Sequence, residues 1–190
     1  MSCFLGEFFM NTLAVDSAFD VAEWFLETAL NDKEALQPMK TQFLMFLAQG
    51  YYAAASKGKR LIPCIFIATS RGPVEPCTYK IYAQIRPEII RSPISDEISG
   101  FLNKIWRRFG AYSGSALGKM LLEHPPVSQA LALGENVEID LKSMTDFYTS
   151  LSANNVKQGN DAFNRPRILR SHTGRAVCVK KWEPAKKQSS

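Results

Sequence analysis

The sequence predicts an all-α domain, a compact bundle of short helices with one or two very short strands at most, followed by a basic C-terminal extension. Three observations predict it. Nearly every apolar segment before residue 152 repeats at three- and four-residue intervals, the spacing that lines one face of a helix. Prolines and N-capping serines stand at the starts of those segments, and Gly58, Gly110 and Gly134 stand where three of them stop. Charge divides along the chain: residues 162 to 190 hold 8 Lys and Arg against one acid, a net +7, whereas residues 1 to 161 hold 15 against 17, a net −2.

Helices are expected at about 16–30, 38–56, 75–86, 95–109, 114–123, 126–133 and 141–151. The first starts at Asp16 or Ser17 as N-cap and turns Phe19, Ala22, Phe25, Leu26 and Ala29 to one face, with Trp24 at its edge. In the second, Pro38 occupies a first-turn position that tolerates a missing N–H, and Met39, Phe43, Phe46, Leu47, Tyr51 and Ala54 form the core face. Gly50 inside that pattern costs roughly 1 kcal/mol against Ala, which implies a close backbone contact. LIPCIFIATS mixes β-branched residues with a proline and is open between a short strand, an extended segment and a brief buried helix. In Gly72-Pro73-Val74-Glu75-Pro76 the first proline fixes a turn and the second opens the next helix, with Glu75 near its positive end and Tyr79, Tyr82 and Ile85 facing inward.

Ser95, Asp96 and Glu97 begin the 95–109 helix, whose inward face is Ile98, Phe101, Leu102, Ile105, Trp106 and Phe109, and Gly110 stops it. Ser113 caps the next helix, with Leu117, Met120 and Leu121 apolar; Pro125-Pro126 ends it and starts another. ENVEID alternates as a brief strand would, and LKSMTDFYTSL presents Leu141, Met144, Phe147, Tyr148 and Leu151 at helical spacing. SANNVKQGND has the composition of a linker. The expected organisation is a helical domain over 1–152, then a linker and basic tail over 153–190.

At 190 residues, 46% hydrophobic and 22% charged, the chain has the composition of an ordinary globular domain. The N-terminal MSCFLGEFFMNTLAV lacks a basic leader and contains Glu7, and no stretch approaches the ~20 apolar residues of a membrane span, so a cytoplasmic protein with no membrane partner is expected. Cys3, Cys64, Cys77 and Cys178 include no C-x-x-C pair, and with only His124 and His172 to join them they make a poor zinc inventory. Buried reduced thiols, and no metal or other cofactor, are expected. Gly-rich phosphate loops and nucleophile elbows do not occur, so the chain reads as a non-enzyme, with His124 capping the helix before it.

MKTQFLMFLAQGYYAA at 39–54, GPVEPCTY at 72–79 and FGAYSGSALGKMLLEH at 109–124 together resemble the Panacea domain, the family that contains SocA-like antitoxins of bacterial and phage toxin–antitoxin systems. The likeness covers about residues 18 to 150. Two departures stand out: Thr69 where a tryptophan is usual, and Glu123-His124-Pro125-Pro126-Val127 where Thr-His followed by Pro-Trp is common. The resemblance implies a mostly helical protein-binding domain that neutralises a cognate toxin by direct complex formation, in some cases presenting it to a protease system, with no catalytic residues. It also favours a short helix for LIPCIFIATS.

Because interface energy concentrates in a few aromatic and arginine anchors, the exposed members among Tyr52, Tyr82, Arg107, Arg108 and Tyr112 are the candidate partner-binding residues, with Lys104 one turn before the arginine pair. The tail offers the alternative function, a nucleic-acid-binding regulator that represses its own operon. Arg165, Arg167, Arg170, Arg175, Lys180 and Lys181 are its candidate phosphate contacts, interleaved with His172 and Trp182.

Overall fold

The Ser17 side chain accepts the Phe19 N–H and starts helix α1 (Ala18–Asn31), so of the two expected caps Ser17 is the one used. In this computed structural model residues 14–88 and 92–157 are described, together with the backbone of short strands at 168–170 and 176–178. The chain falls into two compact units, Met1–Leu151 and Ser152–Ser190. Among the described residues seven helices carry the fold, and the strands are short and antiparallel, so the protein is mainly helical.

Helix α2 (Pro38–Ala55) is the centre of the first unit. Thr41 to Tyr51 are buried without interruption, so this helix is enclosed on all sides rather than presenting one apolar face. Enclosure turns its polar side chains to partners inside the protein, although Gln49 Nε2 finds none among the described residues. Gln42 Nε2 donates to Thr78 Oγ1 (3.0 Å) while its Oε1 accepts the Glu75 N–H (2.9 Å), and Gln49 Oε1 accepts the Ile62 N–H (3.0 Å).

LIPCIFIATS corrects the expectation of a short helix. It bends and then enters strand β1 (Ile67–Thr69), which pairs with β2 (Gly72–Val74) in the register Ile67↔Val74, Ala68↔Pro73, Thr69↔Gly72. The Gly-Pro-Val motif is thus strand, and the reversal sits before it at Ser70-Arg71. Pro73 is tolerated because the backbone of its partner Ala68 bonds elsewhere: Ala68 N–H donates to Val137 O and Ala68 O accepts the Asn136 N–H, each at 2.8 Å. ENVEID supplies that second neighbour through the bridge Ile67↔Glu138. Gly72, at φ +123°, is a position where a Cβ would meet the Phe43 ring at 2.6 Å.

Helix α3 (Pro76–Tyr82) stops four residues before its expected end, and Ile85, expected inside, is 68% exposed. α4 (Asp96–Phe109), α5 (Gly114–Leu122) and α6 (Pro125–Leu133) follow the expected boundaries closely, with Ser95 and Ser113 as side-chain caps. α7 (Leu141–Lys157) runs six residues beyond its expected end, through residues 152–157. Those residues are polar enough to read as a linker, yet none is Gly or Pro, so nothing there breaks a helix.

Candidate interaction surface

Helix α4 has the sharpest division between apolar and charged faces, and its ends are matched to its dipole. Asp96 and Glu97 lie in the first turn and Arg107 and Arg108 in the last. Its C-terminus is pinned from outside. Lys40 Nζ donates to Gly110 O (2.6 Å), stands 5.7 Å from the Trp106 ring centroid and pairs with Glu34 (3.6 Å). Trp106 Nε1 donates to Asp32 Oδ2 (2.8 Å), which ties the same end to the C-cap of α1.

On this fixed corner the Arg108 guanidinium lies 5.0 Å from the Tyr51 ring and 4.9 Å from the Phe109 ring. Tyr112, 45% exposed, stands 6.4 Å from Phe109, and Arg107, in the same last turn of α4, is exposed. Stacking on aromatic faces fixes the Arg108 side chain before any partner arrives, so less of its rotamer entropy is left to lose on binding. The corner offers planar N–H donors and aromatic edges, the chemistry that receives carboxylates and apolar side chains of another protein.

Of the five predicted anchors, Arg107 and Tyr112 are exposed and Arg108 is half-buried against Tyr51 and Phe109. Tyr52 is half-buried, edge-on to Phe101 at 5.5 Å, and burial followed by the Glu97 carboxylate pushes its hydroxyl pKa up. Tyr82 is not a surface residue. It is 9% exposed, packs on Phe19, and donates to Glu23 Oε1 (2.7 Å). The reason lies on α1, where Asp20 and Glu23 are buried carboxylates that helical periodicity of apolar residues does not reveal. Glu23 Oε2 also takes Arg86 (2.6 Å), and Asp20 Oδ1 accepts the Ser92 N–H (3.2 Å).

His124 does not cap the preceding helix through its side chain. Its backbone N–H bonds Leu121 O, while Nδ1 lies 3.1 Å from the hydroxyl of the fully buried Tyr148 and the ring packs 4.8 Å from Phe147. Burial pushes the imidazole down to about 4. It is a neutral structural group at pH 7, as is Tyr148, whose hydroxyl pKa burial raises.

Glu75 is the N-cap of α3. Its carboxylate accepts the N–H groups of Cys77 (3.0 Å) and Thr78 (2.6 Å) while only 4% exposed. Cys64 and Cys77 are free thiols, and Cys77 is exposed rather than buried as expected. Burial, with Glu75 nearby, raises the Cys64 thiol pKa far from the reactive range. Among the described residues no group of His, Cys, Asp and Glu is arranged to hold a metal ion, and no helix is long and apolar enough to cross a membrane.

An open groove between α6 and α7, lined by Pro125, Gln129, Asp140, Lys142, Asp146 and Phe147, carries the exposed pair Lys142–Asp146 (2.7 Å). Beside that pair, Asp140 Oδ2 accepts the Ser143 N–H (2.8 Å). Of the predicted tail contacts, Arg170 lies in strand β3 (Ile168–Arg170), whereas Arg165, Arg167, Arg175, Lys180 and Lys181 lie outside the described residues. Sequence reasoning missed the Lys40 clamp. A lone charge in the otherwise uncharged sequence of α2 was its signal. No family model, curated protein or solved structure matches the chain.

Proposed function

We propose that the helical unit is an antitoxin-like protein-binding domain that neutralises a cognate toxin in the cytoplasm by direct complex formation, and that it acts without bond-making chemistry. The observation that supports this reading is the end of α4, where Arg108 is stacked on Tyr51 and Phe109, Tyr112 stands exposed 6.4 Å from Phe109, and Arg107 is exposed in the same last turn. The resemblance of 39–54, 72–79 and 109–124 to Panacea domains gives the partner its kind. Presentation of the bound toxin to a protease system is a further route by which the same complex would act.

Co-expression with the toxic product of a neighbouring gene tests it. The wild-type chain rescues growth and co-purifies with that product. Arg107→Glu and Tyr112→Ala change only exposed side chains, so the fold survives while affinity falls, by ~1 kcal/mol or more for each that is an anchor. Conservative replacement of His124 or of the cysteines, in variants that remain folded, leaves rescue intact. Loss of rescue in such a variant points to an enzyme, and failure of the wild-type chain to bind any neighbouring product sinks the assignment.

A further inference from the structure

Helix α4 carries a glycine with no packing reason among the described residues. Three described glycines lie in helix interiors, Gly50, Gly100 and Gly118. A Cβ at Gly50 would strike the Tyr148 ring, and one at Gly118 would meet Arg71 O at 3.2 Å and the Phe43 ring at 3.3 Å, so both are small because something packs on them. A Cβ at Gly100 would meet nothing within 4 Å. An exposed glycine in mid-helix gives up helix propensity against alanine, and close approach of another backbone is the use that only glycine serves.

The residues around Gly100 make a self-complementary face. Asp96, Gly100 and Lys104 are exposed and follow one another at four-residue intervals along one row of α4, a carboxylate before the glycine and an ammonium after it. Glu97 and Asn103, also exposed, stand at equal spacing to either side of Gly100. The flanks are aromatic: Ser99 Oγ accepts Trp24 Nε1 (3.1 Å), Phe101 meets Tyr52 at 5.5 Å, and all three rings are half-buried. Dipole matching accounts for the acids of the first turn and the arginines of the last, but not for Lys104 or for the glycine between.

We propose that this face is a self-association surface, on which α4 packs antiparallel against α4 of a second copy of this chain about a two-fold axis at Gly100. In such an isologous contact every pairing occurs twice. With Gly100 on the axis, Asp96 of each copy faces Lys104 of the other, and Glu97 faces the Asn103 amide. Parallel packing would set like charge against like, so the charges choose the direction. The missing side chains let the two backbones approach closely at the crossing, and the partner helix then covers the exposed edges of the flanking rings. The pairing residues are not the Arg107, Arg108 and Tyr112 of the toxin-binding reading, so the two readings fail separately.

Sedimentation velocity of the full chain without toxin, from micromolar to hundred-micromolar protein, tests it. The wild-type chain shows a reversible, concentration-dependent dimer whose affinity falls as salt screens the pairs. Gly100→Leu places its side chain in open space within its own chain, so helical circular dichroism is retained, while two such side chains on the axis hold the helices apart and weaken the dimer at least about tenfold. Asp96→Lys and Lys104→Asp each turn two attractions into two repulsions and also weaken self-association at least about tenfold. Mixed in equal amounts, those two variants form a dimer again, because in the mixed pair every facing couple is once more a lysine with an aspartate. Self-association through α4 is overturned if the wild-type chain stays monomeric over this range, if Gly100→Leu dimerises as wild type does, or if the mixture associates no more tightly than either variant alone. A monomeric chain in which Gly100→Leu loses toxin rescue also overturns it, and assigns the face to the toxin instead.

Discussion

Replacing Gly50 by Ala sets two effects of opposite sign against each other. At an ordinary mid-helix site the change stabilises by about 1 kcal/mol through helix propensity. Here a methyl group would overlap Cδ2 and Cε2 of the Tyr148 ring and reach Cζ at 3.1 Å. The ring has nowhere to go. Tyr148 is fully buried, with the centroids of Tyr51 at 4.8 Å, Phe147 at 5.0 Å and Phe46 at 6.4 Å, and its hydroxyl meets His124. Overfilling so dense a site costs about 1–3 kcal/mol, and stretching the Tyr148–His124 hydrogen bond adds about 1 kcal/mol. Set against the propensity gain, Gly50→Ala destabilises by about 1–3 kcal/mol. Urea unfolding followed by far-ultraviolet circular dichroism reads this as a lower midpoint, by on the order of 1 M. In a Tyr148→Ala background the clash is gone and the same substitution stabilises by about 1 kcal/mol, a coupling of about 2–4 kcal/mol between two residues 98 positions apart. If Gly50→Ala raises the midpoint of the otherwise unaltered chain, or shifts both backgrounds alike, then Gly50 is not the seat of the Tyr148 ring.

The other predictions rest on single side chains. His124 is held near 4 in the folded state against 6.5 when unfolded, so the unfolded chain binds more protons between those values. Stability is therefore fully present above pH 6.5, falls by about 1–3 kcal/mol as pH drops towards 4, and that limb of the midpoint-against-pH curve flattens in His124→Asn; an unchanged limb would contradict the burial of a neutral imidazole. Glu75→Ala removes both carboxylate acceptors from the start of α3 and lowers stability by about 1–2 kcal/mol in the same urea assay, whereas a surface site of equal charge gives less than half a unit. Lys40→Met leaves Gly110 O without its cation and takes the cation off Trp106. It lowers stability by about 1–2 kcal/mol and shifts the emission of Trp106, and an unmoved spectrum would show that the clamp does not hold the end of α4.

The helical class and most helix boundaries were legible because they follow from local chemistry. Ser17, Ser95 and Ser113 cap where they stand, Pro38, Pro76 and Pro125 open helices, and the face Ile98, Leu102, Ile105, Trp106, Phe109 goes inward as its spacing requires. The hairpin of β1 and β2 was not legible, because a ten-residue apolar run fits strand and buried helix equally until a neighbour supplies hydrogen bonds. Val137 and Asn136, nearly 70 positions away, supply them. Tyr82 failed as a surface candidate for a related reason. Its partner Glu23 lies 59 residues earlier, and no local pattern marks a carboxylate as buried.

What the sequence determined by itself is the helical architecture, the uneven charge of body and tail, and the presence of a helix ending in paired arginines. These depend on residues within a turn or two of each other, or on simple sums of charge. Tertiary structure alone decided which of those groups stay exposed and which are buried. It enclosed α2 on every side, turned Tyr82 and His124 into internal hydrogen-bonding groups, and fixed Arg108 on Tyr51 and Phe109. The physical reason is that exposure, hydrogen-bond satisfaction and the shift of a buried imidazole are set by whatever packs against a group, and in this chain those neighbours come from distant helices.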